Sequence, residues 1–460
     1  MDARSANGHG RSGGRSARAV AVVVGGVLAA TVAALSYAGP AAGQDGWTST
    51  ECGTYSGEGC APTGERVDLT RPSFSDPTRV TNPWFPIARL RAAVLLGEEE
   101  GQPFRSETTL LPATGVVVWD GRRVNVLLSQ YTAYRNGRIE EVAIDRYAQA
   151  DDGSVWYLGE DVVDYKDGTI ETTEGTWLAG REGPPAMIMP AHPKVGDVFR
   201  SENVIGIVFE EIRIEQVGKP LAGPHGPVAD GIVAAELHLD GTREQKIFAP
   251  GYGEFSTGYG RNIEALALAV PADALAEPPP AQLEALTTGA EGMLGSVRAG
   301  DWKGAAATLG RMNAAWAGLG PRQQPPLVAA RLNDSLQALG RAVRARKPGR
   351  AAQSAIDTTQ SILDLTLRYR SPAEVDRHRF ELWCRQVMVD AAAHDRRGVR
   401  GDVATLEWIR DRFAATLDPA ERNDLDMRLR ALRAAADAEH LPAAADHAAR
   451  LIGQLRRMTR

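Results

Sequence analysis

Three groups of side chains in this sequence have the types and spacing to do chemistry. The first is Tyr147, Trp156, Tyr157, Glu160 and Trp177, carried on segments that read as neighbouring strands. Aromatic rings with one or two acids among them can line an apolar ligand pocket. The same residues also describe a sheet core knit by cross-strand aromatic pairs. His192, in Pro-Ala-His-Pro, joins this group as a ligand-binding candidate. A proline-flanked histidine on a turn is ordinarily solvated and idle, and it would matter only if Asp197 or Glu160 approached it and tuned its titration. The second group is Glu374, His378 and Glu381. On a predicted helix these three project from one face and could hold a divalent metal. A second helix would have to add Asp357, Asp364, Asp390 or Glu407. Arg377 and Arg379 stand among these acids, so a solvated, ion-paired helix face is the competing reading. The third group is the basic run Arg341, Arg344, Arg346, Lys347 and Arg350, which closes a predicted helix. Cations there complement the helix dipole. They would also suit an anionic lipid or wall polymer.

Other chemistry is missing from the pattern. There is no His-Glu-x-x-His zinc pair, no Walker loop and no Gly-x-Ser-x-Gly elbow. The Gly-Tyr-Gly strings at 251–253 and 258–260 have no following helix and read as turns. Asp167-Gly168-Thr169 offers too few oxygen donors for a calcium loop. No catalytic residue is assigned, and no cofactor is expected beyond a divalent metal at the helical trio. Cys52 and Cys60 bracket a short Gly/Ser loop and are expected to pair in an oxidising compartment, with two thiols as the alternative. Cys384 falls in an apolar helical stretch and reads as a buried, inert thiol.

The elements that must position these groups fall into two halves. Asp120-Gly121, Asn136-Gly137, Asp152-Gly153 and Asp167-Gly168 recur at a near-constant interval. Such dipeptides suit type I′ hairpin corners, where both central residues take positive φ. Between them, Val124, Val126, Leu128, Thr132 and Tyr134 share one strand face, and Arg123, Asn125, Ser129 and Arg135 the other. In 154–165 both faces carry apolar groups, so that strand needs cover on both sides. Further strands are predicted near 205–217, 231–239, 245–249 and 265–270. The result is an antiparallel β-meander, a curved sheet or half-barrel, with a lipocalin-like barrel as the alternative. After Pro278-Pro279-Pro280 the period changes to 3.6. Eight helices in four hairpins are predicted over 282–299, 302–318, 326–346, 350–369, 373–395, 401–417, 420–438 and 442–457, with Ser371, Asp402 and Asp418 as N-caps. The fold class is therefore α+β in two domains, a β-meander followed by an all-α helical-hairpin domain.

The 460 residues divide into a leader (1–43), a Gly/Ser/Pro-rich segment (44–79), the β-meander (80–272), a Pro-rich linker (273–281) and the helical domain (282–460). Four arginines precede the uncharged, Ala/Val-rich run of 19–38, the pattern of a signal peptide. If uncleaved, the run becomes an N-terminal membrane anchor, and both outcomes place the rest outside the cytoplasm. Residues 44–280 carry 20 Lys+Arg against 36 Asp+Glu, and residues 281–460 carry 28 against 21. That asymmetry favours docking of one half on the other, or a basic face turned to an anionic surface. The overall net charge of −6 argues against a nucleic-acid partner.

Four strings in the β half look familiar: VTNPWFPI (80–87), YAQADDGSVWYLGED (147–161), MPAHPKVGDVFRSE (189–202) and FAPGYGEF (248–255). Together they resemble a family of exported bacterial proteins of unknown function, over about residues 80–270 only. The resemblance implies an envelope location and supplies no catalytic residues. Separately, the His-x-x-Glu spacing of His378 and Glu381 is similar to the short motif of imelysin-like iron-handling proteins, although the glycine two before that histidine is Asp376 here.

The expected function is noncatalytic: an exported envelope protein binding an apolar small molecule, a lipid or a partner protein. The alternatives are metal handling or metal-dependent hydrolysis by the helical domain, and a scaffold that docks another envelope component.

Overall fold

The computed structural model describes residues 60–204 and 206–458. Residues 1–43 and Cys52 lie outside them, so the expected export signal and the expected Cys52–Cys60 pairing fall outside the described residues.

The strands are β1 (Ala92–Glu99), β2 (Gln102–Trp119), β3 (Arg122–Arg135), β4 (Arg138–Gln149), β5 (Val155–Lys166), β6 (Thr169–Thr172), β7 (Trp177–Leu178), β8 (Ala186–Met189), β9 (Val198–Val204), β10 (Val208–Gly223), β11 (Gly226–His238), β12 (Arg243–Ala249), β13 (Gly253–Tyr259) and β14 (Asn262–Val270). They form one antiparallel sheet of 14 strands in the order β6-β5-β4-β3-β2-β1-β14-β13-β12-β11-β10-β9, with β7 and β8 both paired to β5. The sheet is not closed. β6 and β9 are its edges, so the barrel alternative does not form. The segment before β1 covers the β9 edge, where Val67 N–H donates to Val198 O at 2.8 Å. Covering an edge in this way hides backbone groups that would otherwise pair with another chain.

The corners explain the long strands. Asp120-Gly121, Asn136-Gly137 and Asp167-Gly168 each have both residues at positive φ, as the type I′ expectation requires, and Glu100-Gly101 makes another such corner. Asp152-Gly153 differs, because only Gly153 is left-handed. There Asp152 Oδ1 accepts from Ser154 N at 2.9 Å, and the side chain shapes a longer loop. The second Gly-Tyr-Gly string is not wholly turn: its first two residues end β13.

The helices are α1 (Ala281–Arg298), α2 (Trp302–Leu319), α3 (Pro326–Arg344), α4 (Pro348–Thr366), α5 (Pro372–Ala392), α6 (Arg396–Phe413), α7 (Pro419–Asp437) and α8 (Leu441–Met458). None among the described residues is long and apolar enough to cross a membrane. Ser371 and Asp418 cap α5 and α7, the latter in a capping box with Glu421. Asp402 does not cap α6. Asp395 does so, accepting from Gly398 N, and Asp402 is buried two turns inside. The glycines at 398 and 401 suggested a break where the helix in fact runs through.

One apolar cluster joins β1 and β14 to α1–α5 through Val94, Leu268, Leu286, Leu332 and Ile362. Alternation along β2 then separates two environments. Arg105 and Glu107 point to the helices, while Phe104, Ser106 and Thr108 line a cavity on the opposite face.

Candidate functional site

The cavity encloses about 560 Å³ and is lined from β2–β5 on one side and β9–β13 on the other. Pairing register builds its floor. Ser129 on β3 is directly opposite Asp145 on β4, and Asp145 is opposite Glu160 on β5. Side chains so placed stand about 5 Å apart on one face. The next row is Tyr147 opposite Tyr157, whose rings stack at 4.9 Å. Phe85 meets Tyr147 edge-on, also at 4.9 Å.

A bulge makes this row. Simple alternation puts Glu160 on the face opposite Tyr157. Instead Gly159 takes φ +124, the β4–β5 register shifts between Asp145 and Tyr147, and both side chains line the cavity. A Cβ on Gly159 would fall 2.3 Å from Trp177 O, so backbone approach as well as φ demands glycine.

The floor is rich in carboxyls. Tyr157 Oη lies 2.8 Å from Asp145 Oδ1 and 3.0 Å from Glu160 Oε2. Glu160 is hydrogen-bonded to Glu202 of β9, which also accepts from Trp177 Nε1 at 3.4 Å. Burial pushes Asp145 up to about 6. Burial, then the neighbouring Glu202, raises Glu160 well above the carboxylate range. Burial, then the charge of Glu210, raises Glu202.

Across the cavity runs a chain of alternating charge. His238 Nδ1 is 3.3 Å from Glu210, its Nε2 is 3.4 Å from Glu236, and Lys246 Nζ is 2.9 Å from the other Glu236 oxygen. Burial would lower His238, but Glu210, by hydrogen bond and charge, and Glu236 overcome it and push it up to about 9. Glu210, Glu236 and His238 offer ligand atoms within 4.8 Å of one another, near enough to hold a metal ion. They are a mixed oxygen and nitrogen set suited to a divalent cation. Lys246 already places a positive charge against Glu236.

No family model matches the chain, and no curated protein does either.

Of the residues singled out in the sequence, the structure brings Tyr147, Tyr157 and Glu160 together in the cavity. Trp177 packs behind them, edge-on to Tyr157 at 5.4 Å. Trp156 is buried off the cavity, its Nε1 donating to Ser154 at 2.7 Å. His192 sits exposed on its turn and is not part of the lining. In the helical half, Glu381 is taken by Arg385 and Arg456, Glu374 is 3.6 Å from Arg370, and His378 is exposed. The carboxylates that a second helix would lend are engaged as well: Asp364 by Arg105 and Arg379, Asp390 by Arg138, Glu407 by Arg433, and Asp357 by Gln353. That face is ion-paired, though not by Arg377 and Arg379: Arg379 is buried against Asp364 and Asp376, and Arg377 donates to Thr416. Arg341, Arg344, Arg346, Lys347 and Arg350 are exposed around the α3–α4 corner. Cys384 is buried, and burial pushes its thiol up.

Sequence reasoning missed Ser129, Asp145, Glu202, Glu236, His238 and Lys246. Two signals were available. Glu236 and His238 alternate with apolar neighbours on β11, and Gly159 stands in mid-strand at the end of the apolar run 155–158.

Proposed function

We propose that this chain is a noncatalytic binding protein whose open sheet holds a small ligand against Tyr147 and Tyr157. One observation carries the reading: a cavity of about 560 Å³ combines stacked aromatic faces with an inward row of polar groups. Such a volume is typical of small-molecule sites. The carboxyl floor makes the ligand amphipathic rather than wholly apolar. An envelope location is part of the proposal. Its support is the arginine-flanked apolar run of 19–38 and the resemblance of 80–270 to exported bacterial proteins. Native mass spectrometry of the gently extracted protein tests the reading. A co-purified small molecule, lost when Ala143→Trp fills the lining, is expected. A clean apo mass, together with no added small molecule shifting the thermal midpoint, ends it.

A second reading, metal handling, is favoured by the Glu210–Glu236–His238 geometry. It predicts bound divalent metal in the wild type and a loss in His238→Ala. Equal, near-zero metal in both removes it.

A further inference from the structure

The carboxyl row calls for a particular kind of ligand. Asp145, Glu160 and Glu202 touch one another through Tyr157 and a carboxyl–carboxyl hydrogen bond. No Lys, Arg or His among the described residues is ion-paired with any of the three. The Tyr157 hydroxyl has one proton to share between two carboxyls, and two carboxylates cannot hydrogen-bond each other without a proton. The row is therefore held together by protons where a cation would otherwise stand. Beside it stand the rings of Tyr147 and Tyr157, stacked on each other, and aromatic rings attract cations through their quadrupole. On the other flank Ala143 also lines the cavity, packed with Val162 and Tyr131. At the end of the row, Ser129 Oγ is fully buried, lines the cavity and has no hydrogen-bond partner among the described residues. A buried hydroxyl left unpaired is costly and is ordinarily satisfied by a ligand or water.

We propose that the cavity takes an organic cation, an amine or quaternary ammonium head on an apolar body, with the head over Asp145 and Glu160 beside the Tyr147 and Tyr157 rings. This rests on the binding reading above and names its ligand class. The incoming head replaces the protons of the row, so binding releases protons. The exchange is carried by Asp145 on β4 and Glu160 on β5, the two carboxyls under the head, and the groups that face them are Tyr147 on β4, Tyr157 on β5 and Glu202 on β9. Arg146 adds its charge to Asp145 from β4. The row rises above the ordinary carboxylate range through burial, so affinity should climb as pH rises and ligand no longer competes with protons.

The test is isothermal titration calorimetry of the folded chain with four probes of one chain length: hexylamine, hexyltrimethylammonium, hexanol and hexanoate. At pH 7.5 the two cations should bind at least tenfold tighter than the alcohol or the acid. Their affinity should fall at least tenfold at pH 5.5, with a heat that depends on the buffer's ionisation enthalpy. Asp145→Asn and Glu160→Gln keep the side-chain shapes and should each cost tenfold or more, while Ser129→Ala should cost hexylamine a few-fold. Hexanol or hexanoate binding as tightly as the cations overturns the cation assignment and leaves the cavity reading standing. Cation affinity unchanged in both carboxyl variants, or no binding by either cation, also overturns it. A co-purified ligand seen by mass spectrometry judges the binding reading separately.

Discussion

Two buried clusters of charge lie back to back on this sheet, and they are built on opposite plans. On the helix-facing side, Arg105, Arg379 and Arg412 meet Glu107, Asp364 and Asp376, three cations for three anions. Arg105 grips Asp364 with both terminal nitrogens, at 2.7 and 2.8 Å. Arg412, wholly buried on α6, reaches Glu107 and Thr132 on the sheet. On the cavity side the acids outnumber the bases, and Asp145, Glu160 and Glu202 face one another. The balanced cluster is structural. It satisfies its own charges and locks helix to strand with directional forks. The unbalanced cluster is not self-sufficient, and it lines an open volume. Charge balance separates the two roles where burial does not, because both clusters are buried. The halves do dock, through ion pairs of both senses: Arg379, Arg412 and Arg397 of the basic half meet Glu107 and Asp167 of the acidic half, while Arg105 and Arg138 of the acidic half bind Asp364 and Asp390 of the basic half.

Breaking the balance should have the largest effect. Arg412→Met leaves Glu107 short of a partner in a dry interface, and should lower unfolding free energy by about 3–5 kcal/mol in urea titrations. A loss below about 1 kcal/mol would mean that the network does not hold the domains. Gly159→Val comes next. It forces a β-branched residue to φ +124 and a Cβ into Trp177 O, and should cost about 2–3 kcal/mol while removing ligand binding by turning Glu160 away. Full binding at wild-type stability would show that the bulge is dispensable.

The clusters should also titrate in opposite senses. Asp145 rises to about 6, and Glu160 and Glu202 rise with it, all above their unfolded values near 4. Their contribution is fully present below about pH 4 and lost as pH climbs through the folded values. His238, raised to about 9, contributes below about 6.5 and fades through 9. The ligand-free protein should therefore lose stability of order 1–3 kcal/mol between pH 5 and 9, and Glu202→Gln should flatten that slope. Glu107 and Asp364 act in reverse. Burial would raise them, but Arg379, Arg105 and Arg412 hold Glu107 down, and Arg105 and Arg379 hold Asp364 down. Their contribution is present above about pH 4.5 and lost as pH falls through the folded values, opposed in part by Asp376, which burial raises. Thermal midpoints across pH 2–9 would show both flanks, and an unchanged alkaline flank in Glu202→Gln would dissolve the contrast. The smallest effect belongs to His378→Ala, which should change stability by less than about 0.5 kcal/mol and leave metal content unchanged, because the side chain is exposed.

Local patterns were legible in the sequence because their causes are local. Helix ends follow from Ser371, Asp418 and the prolines after them, and strand corners follow from Asn-Gly and Asp-Gly pairs that admit positive φ. Tyr147, Tyr157 and Glu160 were identified from their types. The row that joins Glu160 to Ser129 and Asp145 was not, since cross-strand register and the Gly159 bulge depend on what Trp177 and β4 do next to it. The partners of the helical trio were hidden for a similar reason. Spacing on one helix cannot reveal that Arg456, 75 residues away, will claim Glu381.

By itself, the sequence determined the two halves, their periods and their corners, because hydrophobic period and turn chemistry act within a few residues. Only the tertiary structure decided which acids would find guanidiniums and which would be left facing a cavity. That partition depends on sidedness and register between distant strands and helices, and a single left-handed glycine can reverse it.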